Sequence, residues 1–190
     1  MSKNYNKKIS DTTVRLGEVR FCYAHVFEPR KDDEGNADKY GLCVLIPKDD
    51  TETIKMVEDA IEAAKLKGKT SKWGGKIPGR LTLPLRDGDD EEKGEEYEGM
   101  MFFNCSSPAK SKPGVRVLAD GKIVEAMDDG EDFYSGCWGA VTVNFFAYDS
   151  NGNKGVGAGL NNVIKTRDDE KLAGGTSAES DFADMEDLLD

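Results

Sequence analysis

The segment Gly136–Ile164 constrains the fold most tightly. Cys137, Gly139, Val141, Val143, Phe145 and Ala147 fall on one side of a period-two pattern. Trp138, Ala140, Thr142, Asn144, Phe146 and Tyr148 fall on the other. A helix cannot sort residues this way, because its side chains repeat every 3.6 residues. Asp149–Asn153 reads DSNGN, and an Asn-Gly pair between alternating runs is a hairpin signal. The return run, Lys154–Ile164, sets Gly155, Gly157 and Gly159 on one face. Alternate glycines permit tight curvature, or close approach of another group. A long two-stranded ribbon of this kind is not stable alone and needs further strands.

Those strands are legible upstream. Thr12–Phe27 is β-like, with Phe21, Tyr23, His25 and Phe27 alternating against Cys22, Ala24 and Val26. Lys31–Asn36 is a turn, and Tyr40–Ile46 is a compact apolar run closed by Pro47. Leu81–Leu85 reads as a short strand, Met100–Cys105 as another, and Val115–Leu118 with Ile123–Ala126 as a hairpin around Ala119-Asp120-Gly121. The one helical stripe is Asp50–Lys67: Ile54, Val57, Ile61 and Ala64 share a face, Asp50 or Thr51 caps it, and Gly68 stops it. Many antiparallel strands with one internal helix predict a mainly β protein, a small β-barrel of the OB type.

Charge divides the chain further. The net charge of -11 at first argues against nucleic acid, but it is unevenly placed. Residues 168–190 carry -8 and residues 87–98 carry -7, so the remaining body is +4. The expected organisation is a flexible basic arm (1–11), a barrel domain (12–167) with an acidic surface loop (87–98), and a disordered acidic tail (168–190). No apolar run approaches the about 18 residues that a membrane span needs, and the N-terminal residues show no signal-peptide pattern. A cytoplasmic location is expected. The four cysteines lack a C-x-x-C spacing and His25 is the sole histidine, which predicts reduced buried thiols and no metal site. No nucleotide-loop, hydrolase or metalloprotease motif is present, so neither catalysis nor a cofactor is expected.

The chemistry the sequence does carry is basic loops with aromatics. Cationic grooves hold the phosphates of a single strand, and aromatic faces stack on any base. By that recipe the candidate ssDNA-binding residues are Arg20, Tyr23, Lys39, Tyr40, Lys69, Lys72, Trp73, Lys76, Arg80, Lys110, Lys112, Arg116 and Trp138. Trp73 stands out, because its near neighbours are Lys and Gly and they predict an exposed ring. In the tail, Asp181, Asp184, Glu186, Asp187 and Asp190 interleave with Phe182, Met185, Leu188 and Leu189. That mixture suits a short motif docking on a basic, partly apolar partner, and its charge competes with phosphates for the same groove. An alternative from the net charge is an acidic DNA mimic that inhibits a host DNA-binding enzyme.

Phe133–Phe182, with its NGNKGV (Asn151–Val156) and GLNN (Gly159–Asn162) words, resembles a family of bacteriophage single-stranded DNA-binding proteins. Lys39–Asp50, Leu85–Asp90 and Tyr97–Ser107 fit the same family in the same order, so the resemblance covers nearly everything past Arg15. It implies an OB fold, sequence-independent ssDNA binding, and an acidic C-terminus that contacts replication and recombination proteins. It also implies a phage or prophage gene acting in a bacterial host. A homodimer through an exposed strand edge is a further expectation.

Overall fold

The computed structural model describes residues 5–90 and 94–172. In chain order its elements are β1 (Lys7–Lys8), β2 (Thr13–His25), β3 (Lys39–Pro47), α1 (Thr51–Ser71) and β4 (Arg86–Asp87). A 3-10 turn (Glu95–Tyr97) follows, then β5 (Met100–Pro108), β6 (Gly114–Ala119), β7 (Lys122–Glu125), β8 (Trp138–Ser150) and β9 (Asn153–Arg167).

Antiparallel pairing runs β5–β3–β2–β8–β9. A single parallel bridge, Ser106 to Gly159, joins β5 to β9 and closes the ring. The result is the five-stranded barrel of the OB fold. β1 adds to β2, β4 to β5, and the β6–β7 hairpin lies beside β9. The β8–β9 turn places both Asn151 and Gly152 at positive φ, as an Asn-Gly hairpin turn requires.

Inward-facing residues fill the barrel. Val14, Leu16, Val19 and Phe21 come from β2, Val44 and Ile46 from β3, Phe103 from β5, and Val141, Val143 and Phe145 from β8. Leu16 and Val19 both face in because the β2–β8 register shifts between them, as at a β-bulge. A smaller cluster outside the barrel joins Cys22, Cys43, Leu45, Tyr97 and Phe102. All four cysteines are free and buried. A hydrogen bond with Cys43, and then burial, push the Cys22 thiol far above its usual range, so it stays protonated.

Several local readings of the sequence change. The helix does not stop at Gly68 but continues to Ser71. A β-carbon at Gly68 would sit 2.3 Å from Ala147 and 3.0 Å from the Trp73 ring. Gly68 is therefore a close-packing site, and contact there offsets the about 1 kcal/mol that glycine costs inside a helix. Asp50 is the N-cap, accepting from the Thr53 backbone N–H at 3.2 Å. Leu81–Leu85 is not a strand; only Thr82 makes a bridge, to Gly155.

The expected arm is tied down from Tyr5 onward. Lys7 and Lys8 pair with Arg15 and Val14, and Asn6 accepts from the Gly17 N–H while donating to Thr53. The chain stays attached to the domain past β9, where the Leu172 N–H donates to the Ser135 carbonyl. The acidic run is anchored too: Tyr97 is buried, and Lys48 clamps Asp87 at 2.6 Å and Asp89 at 2.7 Å. No helix among the described residues is long and apolar enough to cross a membrane.

Candidate nucleic-acid interface

The outer face of the β8–β9 ribbon shows what its alternate glycines do. Asn144, Phe146 and Tyr148 lie opposite Gly159, Gly157 and Gly155 in register. A β-carbon on Gly157 would lie 2.7 Å from Cζ of Phe146, and one on Gly159 would lie 2.4 Å from Oδ1 of Asn144. The side chains of β8 thus lie across the bare backbone of β9. Phe146 is left 46% exposed, a ring seated on glycine with a face toward solvent.

Beside it opens a groove of about 920 Å³. Thr142, Asn144 and Phe146 of β8, Gly159–Asn162 of β9 and Ser106–Pro108 of β5 line it, with Lys39 and Lys112 on its rim. No acid is among the lining residues. The Lys112 loop is held by the Gly114 N–H donating to Asn162 Oδ1 at 3.0 Å, and by the Ser107 hydroxyl donating to the Ser111 carbonyl. Two further depressions continue it. One, of about 670 Å³, shares Lys39 and Ser106 and reaches Arg30, His25 and Tyr23. The other, of about 190 Å³, shares Thr142 and Asn162 and has an apolar floor rimmed by Arg15 and Arg116. The three form one track, supplied with cations along its length and with an aromatic plate at Phe146. Cations and a π-face are what a single strand requires of a binding surface.

Trp138 stands further along β8, flanked by the Arg167 guanidinium 4.5 Å and the Arg20 guanidinium 6.0 Å from its ring centroid. Its Nε1 donates to Asp169 at 2.7 Å, and Arg20 donates to the Glu170 carbonyl at 2.9 Å. The Trp138 hydrogen bond first, then the Glu170 backbone N–H, hold the Asp169 carboxyl below its usual range. The start of the acidic segment thus occupies a cationic, aromatic patch.

Of the residues the sequence singled out, Lys39, Lys112, Arg116 and Tyr23 come together on the track, and Arg20 and Trp138 stand at the patch. Tyr40 and Trp73 do not: they are 6% and 7% exposed. Trp73 packs on Gly68 and donates its Nε1 proton to the Tyr148 carbonyl at 3.2 Å. Its surroundings come from the end of α1 just before it and from β8, far away in sequence, and the closure by β8 overturns the expected exposed ring. Lys69, Lys72, Lys76, Arg80 and Lys110 are exposed but outside the groove lining. Phe146, Asn162, Arg15 and Arg30 were not singled out from the sequence. The signal for Phe146 was present, since an aromatic opposite alternate glycines is the close approach that such glycines allow.

His25 offers a check on the track. Partial desolvation, and then Arg30, hold its imidazole below the ordinary value of 6.5, so it is neutral at pH 7. Phosphates beside it favour the charged form. Single-strand affinity is therefore expected to rise as pH falls below about 6.5, and His25→Gln to remove that rise. Anisotropy titrations between pH 5 and pH 8 measure it, and equal slopes in both proteins would exclude His25 from the contact.

A family model described as Enterobacter phage Enc34, ssDNA-binding protein, matches residues 12–190. The chain belongs to that family. A curated relative, "Putative protein p50" of Acyrthosiphon pisum secondary endosymbiont phage 1, is 34% identical and spans 90% of this chain and 93% of its own. Among solved structures, the single-stranded DNA-binding protein of bacteriophage Enc34 in complex with ssDNA is similar at a TM-score of 0.72 and 26% identity. That match covers 91% of this chain and 100% of the other. Bacteriophage T7 gp2.5, a single-stranded DNA-binding protein, has a TM-score of 0.56 at 19% identity over 94% of both chains, and shares the fold. Membership agrees with the OB barrel and with the resemblance read from Phe133–Phe182.

Proposed function

We propose that this protein binds single-stranded DNA without sequence preference, along the track from Tyr23 through Lys39 and Phe146 to Arg116. The acid-free groove with Phe146 on its wall carries the reading. It is supported by the OB fold, whose second and third barrel strands and adjoining loops bind oligonucleotides in other proteins. Here those strands are β3 and β5, and both line the track. Asn144, Asn161 and Asn162 supply amide groups to backbone or base edges, and none of them imposes a single base.

The role is coating of exposed single strands during phage replication and recombination inside a bacterial host, without catalysis. The acidic C-terminal segment recruits replication proteins through Phe182, Met185, Leu188 and Leu189, framed by Asp181, Asp184, Glu186, Asp187 and Asp190; these residues lie outside the described structure. Asp169 on Trp138 supports a brake by the same segment, since a carboxylate already sits where a phosphate is attracted. Among the exposed strand edges, homodimerisation would use that of β7, whose Ile123 is 68% exposed.

The test is anisotropy with oligo(dT) and a duplex of equal length across a salt series. Oligo(dT) is expected to bind far more tightly, with a log–log salt slope of about -3 if about four phosphates are neutralised. Deleting residues 179–190 is expected to strengthen that binding and abolish capture of replication proteins. Equal affinity for duplex and single strand would sink the proposal, and absence of binding to either would return the DNA-mimic reading.

A further inference from the structure

At the Tyr23 end of the track stands an acid, Glu96, from the run that the sequence places in an acidic surface loop. Tyr23 has φ 49°, in the left-handed region, where the β2–β3 register shifts between Cys22 and His25. That irregularity turns the ring outward, leaving the residue 47% exposed, and its hydroxyl donates to Glu96 Oε1 at 2.8 Å. Behind it the Tyr97 ring stacks at 6.3 Å and 21°. Tyr97 is itself fixed, buried against Phe102 with ring centroids 4.8 Å apart. The far end of this loop is pinned as well: Asp89 binds Lys48 and accepts from the Gly99 N–H at 3.1 Å. Glu96 is therefore held in place by the fold, at the end of the track where its carboxylate accepts from the Tyr23 hydroxyl.

We propose that Glu96 is the end-stop of the DNA track: held on Tyr23, its carboxylate repels phosphates there and fixes where a bound strand must leave the protein. This rests on the single-strand reading above. Along the rest of the track the lining side chains are neutral or basic, with Arg30 and Lys39 nearest to this end. A strand drawn along those cations meets like charge at Glu96, and like charges across an interface penalise the wrong register more than they alter the core contacts. Glu96 thus acts as a determinant of site length and register, and makes no favourable contact with the strand.

The experiment measures affinity of the full chain for labelled oligo(dT) of about 4 to 16 nucleotides at low salt, the span of site sizes for one OB fold. Glu96→Gln, Glu96→Lys and, as a control on α1, Glu58→Gln are compared with the parent protein. Affinity should rise with length to a plateau. Glu96→Gln should leave the shortest bound oligomers unchanged, strengthen the longer ones about fivefold and move the plateau to longer oligomers. Glu96→Lys should do more, and Glu58→Gln should do nothing. An unchanged length curve, weaker binding in both Glu96 variants, or a gain equal at all lengths and matched by Glu58→Gln would overturn the end-stop while leaving single-strand binding intact. If the parent protein fails to bind any oligomer, the underlying reading fails first.

Discussion

Phe146→Ala is expected to weaken oligo(dT) binding by about 1–3 kcal/mol, roughly 5- to 150-fold, while barely moving the thermal midpoint. The size follows from the loss of one base-stacking surface. The unchanged stability follows from position, because the ring lies on Gly157 at the surface and leaves no cavity when removed. Gly157→Ala approaches the same ring from beneath. Its added carbon would sit 2.7 Å from Phe146 Cζ, so the plate must lift, and affinity should fall with it. Titrations at one fixed salt concentration, run beside melting curves, separate the outcomes. A lowered midpoint with unchanged affinity would make Phe146 a structural residue and take the aromatic plate out of the groove.

Trp73→Ala is expected to behave in the opposite way. Truncating a buried tryptophan costs about 3–5 kcal/mol of stability, from lost burial and the cavity left behind. Trp73 also loses its hydrogen bond to the Tyr148 carbonyl, and Gly68 loses the ring it packs against. Denaturant unfolding should show the loss, and any protein that remains folded should bind oligo(dT) as before. The DNA-induced change in tryptophan fluorescence should then come from Trp138, whose ring is partly exposed between Arg20 and Arg167, and Trp138→Phe should remove it. A fluorescence response that persisted in Trp138→Phe and vanished in Trp73→Ala would reverse this assignment.

The two tryptophans show where sequence reading succeeds and where it stops. Strand periodicity is local, so β8 and β9, their Asn-Gly turn and the inward set Val141, Val143 and Phe145 could be read directly. The helix was legible through its stripe, but not its end, because Gly68 answers to Ala147 of β8 rather than to a turn in the local chain. Burial of a lone aromatic is likewise a long-range property. Local composition exposes Trp73, whereas β8, distant in sequence, encloses it against the end of α1. For the same reason the cations divided: Lys39 and Lys112 sit 73 residues apart yet share one groove, while Lys69, Lys72 and Lys76 are close in sequence and lie outside it. The charge partition was sound as arithmetic, but it could not show that the acidic run returns through Tyr97 to touch Tyr23.

The bridge between Ser106 and Gly159 has a consequence for breathing motions of the barrel. It is the sole pairing between β5 and β9, whereas the neighbouring seams are zipped along most of their length. Local opening begins where few hydrogen bonds must break, so this seam is the natural place for the ring to part. Both residues also line the main groove. A strand lying there would stitch the two lips together, and amide exchange along Ser106–Pro108 and Gly159–Asn162 would slow more than contact with the ligand alone accounts for. Closure of the ring and occupancy of the groove then become a single thermodynamic event, in which the nucleic acid completes the weakest joint of the protein that carries it.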